Sequence, residues 1–463
     1  MSVGRFVCII CAVTCCVTSA SADTISGALA RAYHANPQLN AQRANTRAVD
    51  ENYPIAFGSF LPTAQGQGSL GILRQGLHFP STTDIYGNTS RAYTNWTVTH
   101  PASAGLVVNL NIFNGFRSIN GINQAAAQIR QSRAQLKYTE NIVLNQGASA
   151  YLGVLRATAV YALRSNNVQV LERQVAITKE RLEGGEVTST DLFQAKTALA
   201  QGQQDQQASY VTLQASIATY KQQIGVAPGE LRPARPLGAL LPASRAEAIQ
   251  IADAENPLIQ AAKFNVEVAD FQVKLIAGQL APTLGLTGGV TSYRDYAGTR
   301  LERLYQAQVT AQLNVPLYEG GVVYGQVRQA KEKLAEARLL SDQQTDQVHQ
   351  TVESTWANWA EADGILKAAQ RQVKYAESAL AGVREEAKFG QRTTQDILNA
   401  QLTLVNARIA AVAAQHDLTL SSYALLASMG RLTAPILQLD VATYDPKEHA
   451  KRVKYQFIGT TDW

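Results

Sequence analysis

From Tyr305 to Leu317 the chain alternates without a break. Tyr305, Ala307, Val309, Ala311, Leu313, Val315 and Leu317 share one parity, and Gln306, Gln308, Thr310, Gln312, Asn314 and Pro316 the other. A period of two predicts a β-strand with one apolar and one uncharged polar face. Thr283 to Tyr293, with Leu284, Leu286 and Val290 on one face, predicts its partner. An earlier pair is predicted where Leu106, Val108, Leu110 and Ile112 alternate with Val107, Asn109 and Asn111, and, more weakly through glycines, from Thr63 to Ile72. After each pair the period lengthens to seven. Ile122, Ile129, Leu136, Val143 and Ala150 begin one such series, echoed by Val327, Leu334, Ser341, Val348 and Thr355. Returning series follow: Leu192, Leu199, Gln206, Leu213 and Tyr220, then Ile397, Leu404, Ala411, Leu418 and Leu425. Seven-residue spacing predicts long helices packed as in a coiled coil, and the small and polar seam residues suit a wall of closely packed helices better than a dry two-stranded core.

The prolines bracket the same tracts. None lies between Pro101 and Pro228 or between Pro316 and Pro435, so each stretch can hold helices uninterrupted by a missing backbone donor. The two halves also match residue by residue. Asn36-Pro37 recurs as Asn256-Pro257 and Pro62-Thr63 as Pro282-Thr283, 220 positions on. Phe113-Asn114-Gly115 then matches Tyr318-Glu319-Gly320, and Gly185, Asp191 and Gly225 match Gly390, Asp396 and Gly430, 205 positions on. The first copy therefore carries 15 extra residues between Thr63 and Phe113. The expected organisation is a first repeat over 23–225 and a second over 244–430, joined by a linker at 226–243 and followed by a tail at 431–463. Within the first repeat, strands are expected at about 60–73 and 103–113 and a helical hairpin at about 117–225. Within the second, strands are expected at about 283–296 and 304–317 and a hairpin at about 322–429. The tail has no usable periodicity and is expected to run along the outside of the helices or to be partly disordered.

Residues 1–22 read as a secretory signal peptide: Arg5, an apolar run from Phe6 to Val17, and a small-residue cleavage site at Ala20-Ser21-Ala22. All four cysteines (Cys8, Cys11, Cys15, Cys16) fall inside it. Lipidation at Cys15 or Cys16 is the rival reading, disfavoured by the flanks Ala12-Val13-Thr14 and Val13-Thr14-Cys15. After Ala22 no stretch approaches the roughly 18 apolar residues expected of a membrane helix. Strand alternation fits a soluble sheet and an outer-membrane barrel alike, and the uncharged Gln/Asn-rich polar face after a secretory signal favours the barrel. Four strands cannot close one, so several chains must share it.

Other chemistry is poorly represented. A net charge of +5 over 463 residues, with no basic block, argues against nucleic acid. The six histidines have no metal-ligand spacing. Gly66-Gln67-Gly68-Ser69-Leu70-Gly71 fits a dinucleotide pattern but lacks a following helix signal, and reads instead as small strand residues. No cofactor and no enzymatic activity are expected. Tyr86, Tyr93, Trp96, Tyr293 and Tyr296 sit near the strand hairpins, either as an interfacial aromatic belt or as loop-packing residues.

The long helices reverse at Leu182-Glu183-Gly184-Gly185-Glu186-Val187-Thr188 and at Lys388-Phe389-Gly390-Gln391-Arg392-Thr393, where glycine permits the turn and Thr188 and Thr393 suit helix caps. Two copies of strand, strand and long helical hairpin, with Gly185-(x5)-Asp191-Leu192 and Gly390-(x5)-Asp396-Ile397 at the tips, resemble the TolC family of outer-membrane channel-tunnels. The likeness covers nearly all of the chain after the signal, including Tyr318-Glu319-Gly320-Gly321. It implies an α+β membrane protein, a homotrimer sharing a twelve-stranded barrel and a twelve-helix periplasmic tunnel. It also implies a duct in the outer membrane of a Gram-negative bacterium, in contact with outer-membrane lipid. Such a duct is joined by a periplasmic adaptor to an inner-membrane transporter of RND or ABC type, and passes small molecules or unfolded proteins. By the same resemblance Arg392 is a gate latch bonding to Thr190 and Asp191 of the neighbouring hairpin, Asp396 forms an acidic ring at the constriction, and Gly184, Gly185, Glu186, Gly390 and Gln391 meet the adaptor. Ala387 and Asn399 depart from the family's gating tyrosine and second ring aspartate, and Gly184, Glu186 and Gln391 are less apolar than its usual tips. A periplasmic adaptor and a structural coiled-coil protein are the rival readings; the first would show a single hairpin, the second no strands.

Overall fold

A computed structural model of the chain describes residues 23–295 and 303–459. The expected signal segment and Tyr296 lie outside them. The first repeat opens with three short helices, α1 (Ile25–Ala35), α2 (Pro37–Asp50) and α3 (Asn52–Phe57). Strands β1 (Thr63–Leu70), β2 (Leu73–Phe79), β3 (Thr82–Thr83), β4 (Thr89–Ser90), β5 (Tyr93–Thr99) and β6 (Ala102–Asn114) follow, then α4 (Arg117–Glu183) and α5 (Ser189–Ile224). The second repeat runs α6 (Arg245–Glu255), α7 (Pro257–Ala277), β7 (Thr283–Arg294), β8 (Arg303–Asn314), α8 (Val322–Lys388) and α9 (Thr394–Ser428), and the tail carries α10 (Pro446–Val453).

The described residues divide into two compact units, one drawn from 23–41, Lys137–Asn256 and Val348–Thr443, the other from Gln42–Leu136, 257–295, 303–347 and 444–459. In the first unit the duplicated Asn-Pro pairs do equivalent work. Each proline opens a helix, where its missing N–H costs nothing. Each asparagine amide donates to a carbonyl near the end of a returning helix: Asn36 to Gln223 at 3.3 Å, Asn256 to Ser428 at 2.7 Å. The linker is pinned here too. The Tyr151 hydroxyl lies 2.7 Å from the carbonyls of both Asp23 and Arg232, and burial pushes its pKa up to about 12. Around it Ala28, Ala32, Leu152, Val154, Tyr220 and Ile224 form an apolar core.

Every seven-spaced position read from the sequence is buried or half-buried. The seam is tight where it is small: a Cβ on Gly202 of α5 would lie 2.7 Å from Leu171 Cδ1 of α4. This packing also explains a departure from the sequence reading. Thr394–Ser428 is long and apolar enough, at a mean hydropathy of 1.3, to qualify by composition as a membrane span. One stripe of it packs on α8, with Leu404 and Ala407 against Leu380 and Ala376, and Leu418 and Ala414 against Leu366 and Ala362.

In the second unit one antiparallel sheet has the order β1-β6-β7-β8. Its register aligns Gly66, Leu106, Val290 and Ala307 across all four strands. That parity collects Leu284, Leu286, Val309 and Leu313 on one face, and leaves Gln65, Gln67, Asn109, Thr291, Gln306 and Gln308 on the other. A bulge at Ile112, between Asn111 and Phe113, is the one irregularity in the β6–β7 register. Gly115, at φ +67°, turns the chain from β6 into α4 and lies so close to the Gly278 carbonyl that a Cβ would collide with it. The 15 surplus residues of the first repeat belong to a long ribbon. β2 pairs with β5 and β3 with β4, extending the β1–β6 hairpin. Of the two expectations for the tail, α10 follows the first and is docked on the helices: His449 Nδ1 lies 3.3 Å from Asp50, which Arg133 meets at 3.3 Å from another side. Burial outweighs both partners and raises the Asp50 pKa.

Candidate functional site

The two helical reversals are built alike. At the first, Gly184 donates to the Glu180 carbonyl and Glu186 to that of Arg181, with Gly185 at φ +75°. At the second, Gln391 donates to the Glu386 carbonyl, with Gly390 also at φ +75°. The left-handed residue is glycine in both because a Cβ there would strain the turn. Each next helix opens with a reciprocal cap. The Thr188 hydroxyl accepts from the Asp191 N–H at 3.3 Å, and Asp191 Oδ2 takes the Thr188 N–H at 2.9 Å and its hydroxyl at 2.7 Å. Thr393 and Asp396 repeat this at 3.2, 2.9 and 2.9 Å. Hydrogen bonds from Thr188 hold the Asp191 carboxyl below the usual range, and those from Thr393 do the same for Asp396.

The side chains break the symmetry. At the first tip Arg181 Nε meets Glu186 at 3.0 Å; at the second Arg392 Nε meets Glu386 at 2.7 Å. Position 181 is thus a cation and its counterpart, 386, an anion. Sequence reading missed both in-turn pairs, although Arg181-(x4)-Glu186 and Glu386-(x5)-Arg392 are visible spacings. Among the described residues Arg392 is bonded to Glu386 and not to Thr190 or Asp191; Thr190 is exposed in the other reversal. The caps use only Oδ2 of each aspartate, leaving Oδ1 of Asp191 and of Asp396 without a hydrogen bond among the described residues. Ala387 is buried, and Asn399 accepts from Gln395 at 3.0 Å. Gly184, Gly185, Glu186, Gly390 and Gln391 are all exposed, and Phe389 beside them is 78% exposed.

The family model described as outer membrane efflux protein matches residues 28–223 and 248–431, which is both repeats without the linker between them. The chain belongs to this family. This outer membrane efflux protein is 37% identical over 441 residues to the outer membrane efflux protein BepC of Brucella suis, covering 95% of the chain and 92% of BepC. It is 25% identical to the outer membrane protein TolC of Escherichia coli, over 71% of the chain and 74% of TolC. In three dimensions it resembles the Campylobacter jejuni CmeC outer membrane channel with a TM-score of 0.76 at 14% identity, over 93% of the chain and 89% of CmeC. The efflux protein is therefore a TolC-like exit duct of the Gram-negative outer membrane that extends into the periplasm. Its family consists of transport channels.

The glycine-rich window Gly66–Gly71 lies in and just beyond β1, with no helix after it, as its reading as small strand residues expects. Tyr93 and Trp96 lie on β5, beyond the end of the four-stranded sheet.

Proposed function

We propose that three copies of the chain assemble one duct: a twelve-stranded barrel continued by a twelve-helix tunnel, closed at the hairpin tips and opened when a periplasmic adaptor engages them. The observation that carries this reading is the sheet itself. Four strands with an apolar outer face leave β1 and β8 as open edges, and unpaired backbone cannot stand in hydrocarbon. Pairing β1 of one copy with β8 of the next satisfies every edge. At the tips, Arg392 exchanges its exposed in-turn partner for Thr190 and Asp191 of the adjacent hairpin, with the unused Oδ1 of Asp191 as acceptor. Asp396 contributes its own Oδ1 to a threefold acidic ring. Exposed Phe389 gives the adaptor an apolar contact beside Gly390 and Gln391. The inner-membrane partner is a transporter of RND or ABC type, and the cargo is small molecules or unfolded proteins. Heat-modifiable migration of detergent-extracted outer membranes tests the assembly. A band at three times the monomer mass that collapses on boiling is expected; a monomer before boiling would overturn it.

A further inference from the structure

The ribbon of the first repeat continues the barrel hairpin without a change of register. Partners in β1 and β6 include Thr63 with Asn109 and Leu70 with Ala102; in β2 and β5, Leu73 with Thr99 and Phe79 with Tyr93; in β3 and β4, Thr83 with Thr89. The two residue numbers in every pair have the same sum, so the parity of the faces carries through from barrel to ribbon. Between the segments Gly71 N–H donates to the Pro101 carbonyl at 2.9 Å, and His100 N–H to Asp295 at 2.5 Å ties the base of the ribbon to the end of β7.

Along that register the lumenal parity changes character. In the barrel segment it is polar, with Gln65, Gln67 and Ser69. In the ribbon it presents Leu73, Leu77, Phe79 and Tyr93, which are 42 to 59% exposed, between Gln75, Asn95 and Thr97, Phe79 and Tyr93 being stacked at 5.0 Å. The opposite parity, apolar through Leu70 and Ile72, becomes mixed: beside Trp96 and Val98 it carries Arg74, over the Trp96 ring at 4.8 Å, and His78, which meets Thr94 at 3.0 Å. The change falls at the end of the four-stranded sheet. β6, β7 and β8 have 13, 12 and 12 residues, already more than the roughly 9–11 that a tilted strand needs to cross hydrocarbon. The ribbon therefore stands outside the cell, at the end of the sheet opposite the helices. A two-stranded ribbon with an uncovered apolar face is marginally stable in water.

We propose that the three ribbons of the trimer converge over the external mouth and bury Leu73, Leu77, Phe79 and Tyr93 against one another, making a second, apolar constriction at the outer end of the duct. The occupant of each apolar face is a second copy of this chain. Continuity with the lumenal parity points these residues at the axis, and continuity with the open β1 edge brings neighbouring ribbons together. The inference rests on the trimer proposed above.

Adjacent residues of opposite parity test it. Leu77→Cys and His78→Cys variants of the full chain, expressed in intact cells, are exposed to an external thiol oxidant, with the parent chain as control and lysine-reactive crosslinking as an independent measure of trimer. Leu77→Cys is expected to give covalently linked dimers, and His78→Cys none. Equal linking of both, or no linking of Leu77→Cys while lysine crosslinking traps the trimer, overturns the collar alone. Loss of the trimer in both assays overturns the assembly as well. Protection of Leu77→Cys from a soluble maleimide without linking would assign the face to the lipid surface and also overturn the collar. A second readout needs no disulfide: Leu77→Lys should raise entry of a large hydrophilic dye severalfold and His78→Lys should not, and equal effects would count against the proposal.

Discussion

At the residue scale, each tip aspartate gives one carboxylate oxygen to a helix cap and keeps the other open, as the proposed pore ring requires of Asp396. Oδ2 of Asp396 is committed to the cap of α9, and the same hydrogen bonds that hold it there keep the group ionised by depressing its pKa. A carboxyl with a lowered folded pKa contributes stability that is complete above its unfolded value of about 3.9 and is lost as pH falls through the folded value. In a threefold ring, repulsion among the three carboxylates works against that depression, so cation selectivity from Asp396 should be present at neutral pH and fade on acidification as the ring takes up protons. Reversal potentials in a salt gradient measure it, and Asp396→Ala should show the weakened selectivity already at pH 7. Arg392 makes a different case. Its pair with Glu386 is exposed, and exposed pairs contribute little because water and salt screen them. If the latch is made across hairpins, Arg392→Ser and Asp191→Ala should each raise resting single-channel conductance, and Glu386→Gln should leave it near that of the parent. A Glu386→Gln channel as leaky as Arg392→Ser would place the latch inside one turn.

At the scale of elements, what could be read in the chain was whatever repeats with a period. The strands show in the alternation from Tyr305 to Leu317 and the helices in the sevenfold series from Ile122, because a buried face imposes its own spacing. The ribbon escaped that reading. Its lumenal parity interleaves Leu73, Gln75, Leu77 and Phe79, and its partner strand is rich in Thr and Asn, so neither strand alternates cleanly. The short helices α1 to α3 and α6 were hidden for another reason: Asn36 and Asn256 mark the repeat, but their bonds to Gln223 and Ser428 depend on residues more than 170 positions away. The same holds for the tips, where spacing suggested the caps but not which charge Arg392 would choose within its own turn. Close helix approach is also a tertiary matter. Gly202 is one of several small seam residues, yet spacing does not reveal that a Cβ there would come within 2.7 Å of Leu171 Cδ1 on α4. Gly202→Val should destabilise by about 1–3 kcal/mol through overpacking. The thermal midpoint of the detergent-solubilised protein reports this, and an unchanged midpoint would mean that Leu171 repacks freely.

At the scale of the molecule, duplication has produced two hairpins of matched length, 67 residues out and 36 back in the first, 67 out and 35 back in the second. Each outgoing helix therefore overruns its returning partner by about thirty residues. In the first repeat that excess is met by other elements, with Gln124 bonded to Gln272 of α7 at 2.8 Å and Ser132 to Thr46 of α2 at 3.3 Å. The seam thus registers four helices against one another in steps of seven. Removing one heptad from α4 alone should disrupt the seam and abolish assembly. Removing the matching heptads from α4, α5, α8 and α9 together should preserve it and shorten each hairpin by about 10 Å. Trimer migration and electron microscopy of the purified duct would decide between these outcomes. The equal helices consequently act as a ruler graduated in heptads. The reach of this duct across the periplasm cannot drift one residue at a time, and adjusting it to a wider or narrower envelope requires four simultaneous edits of the same length.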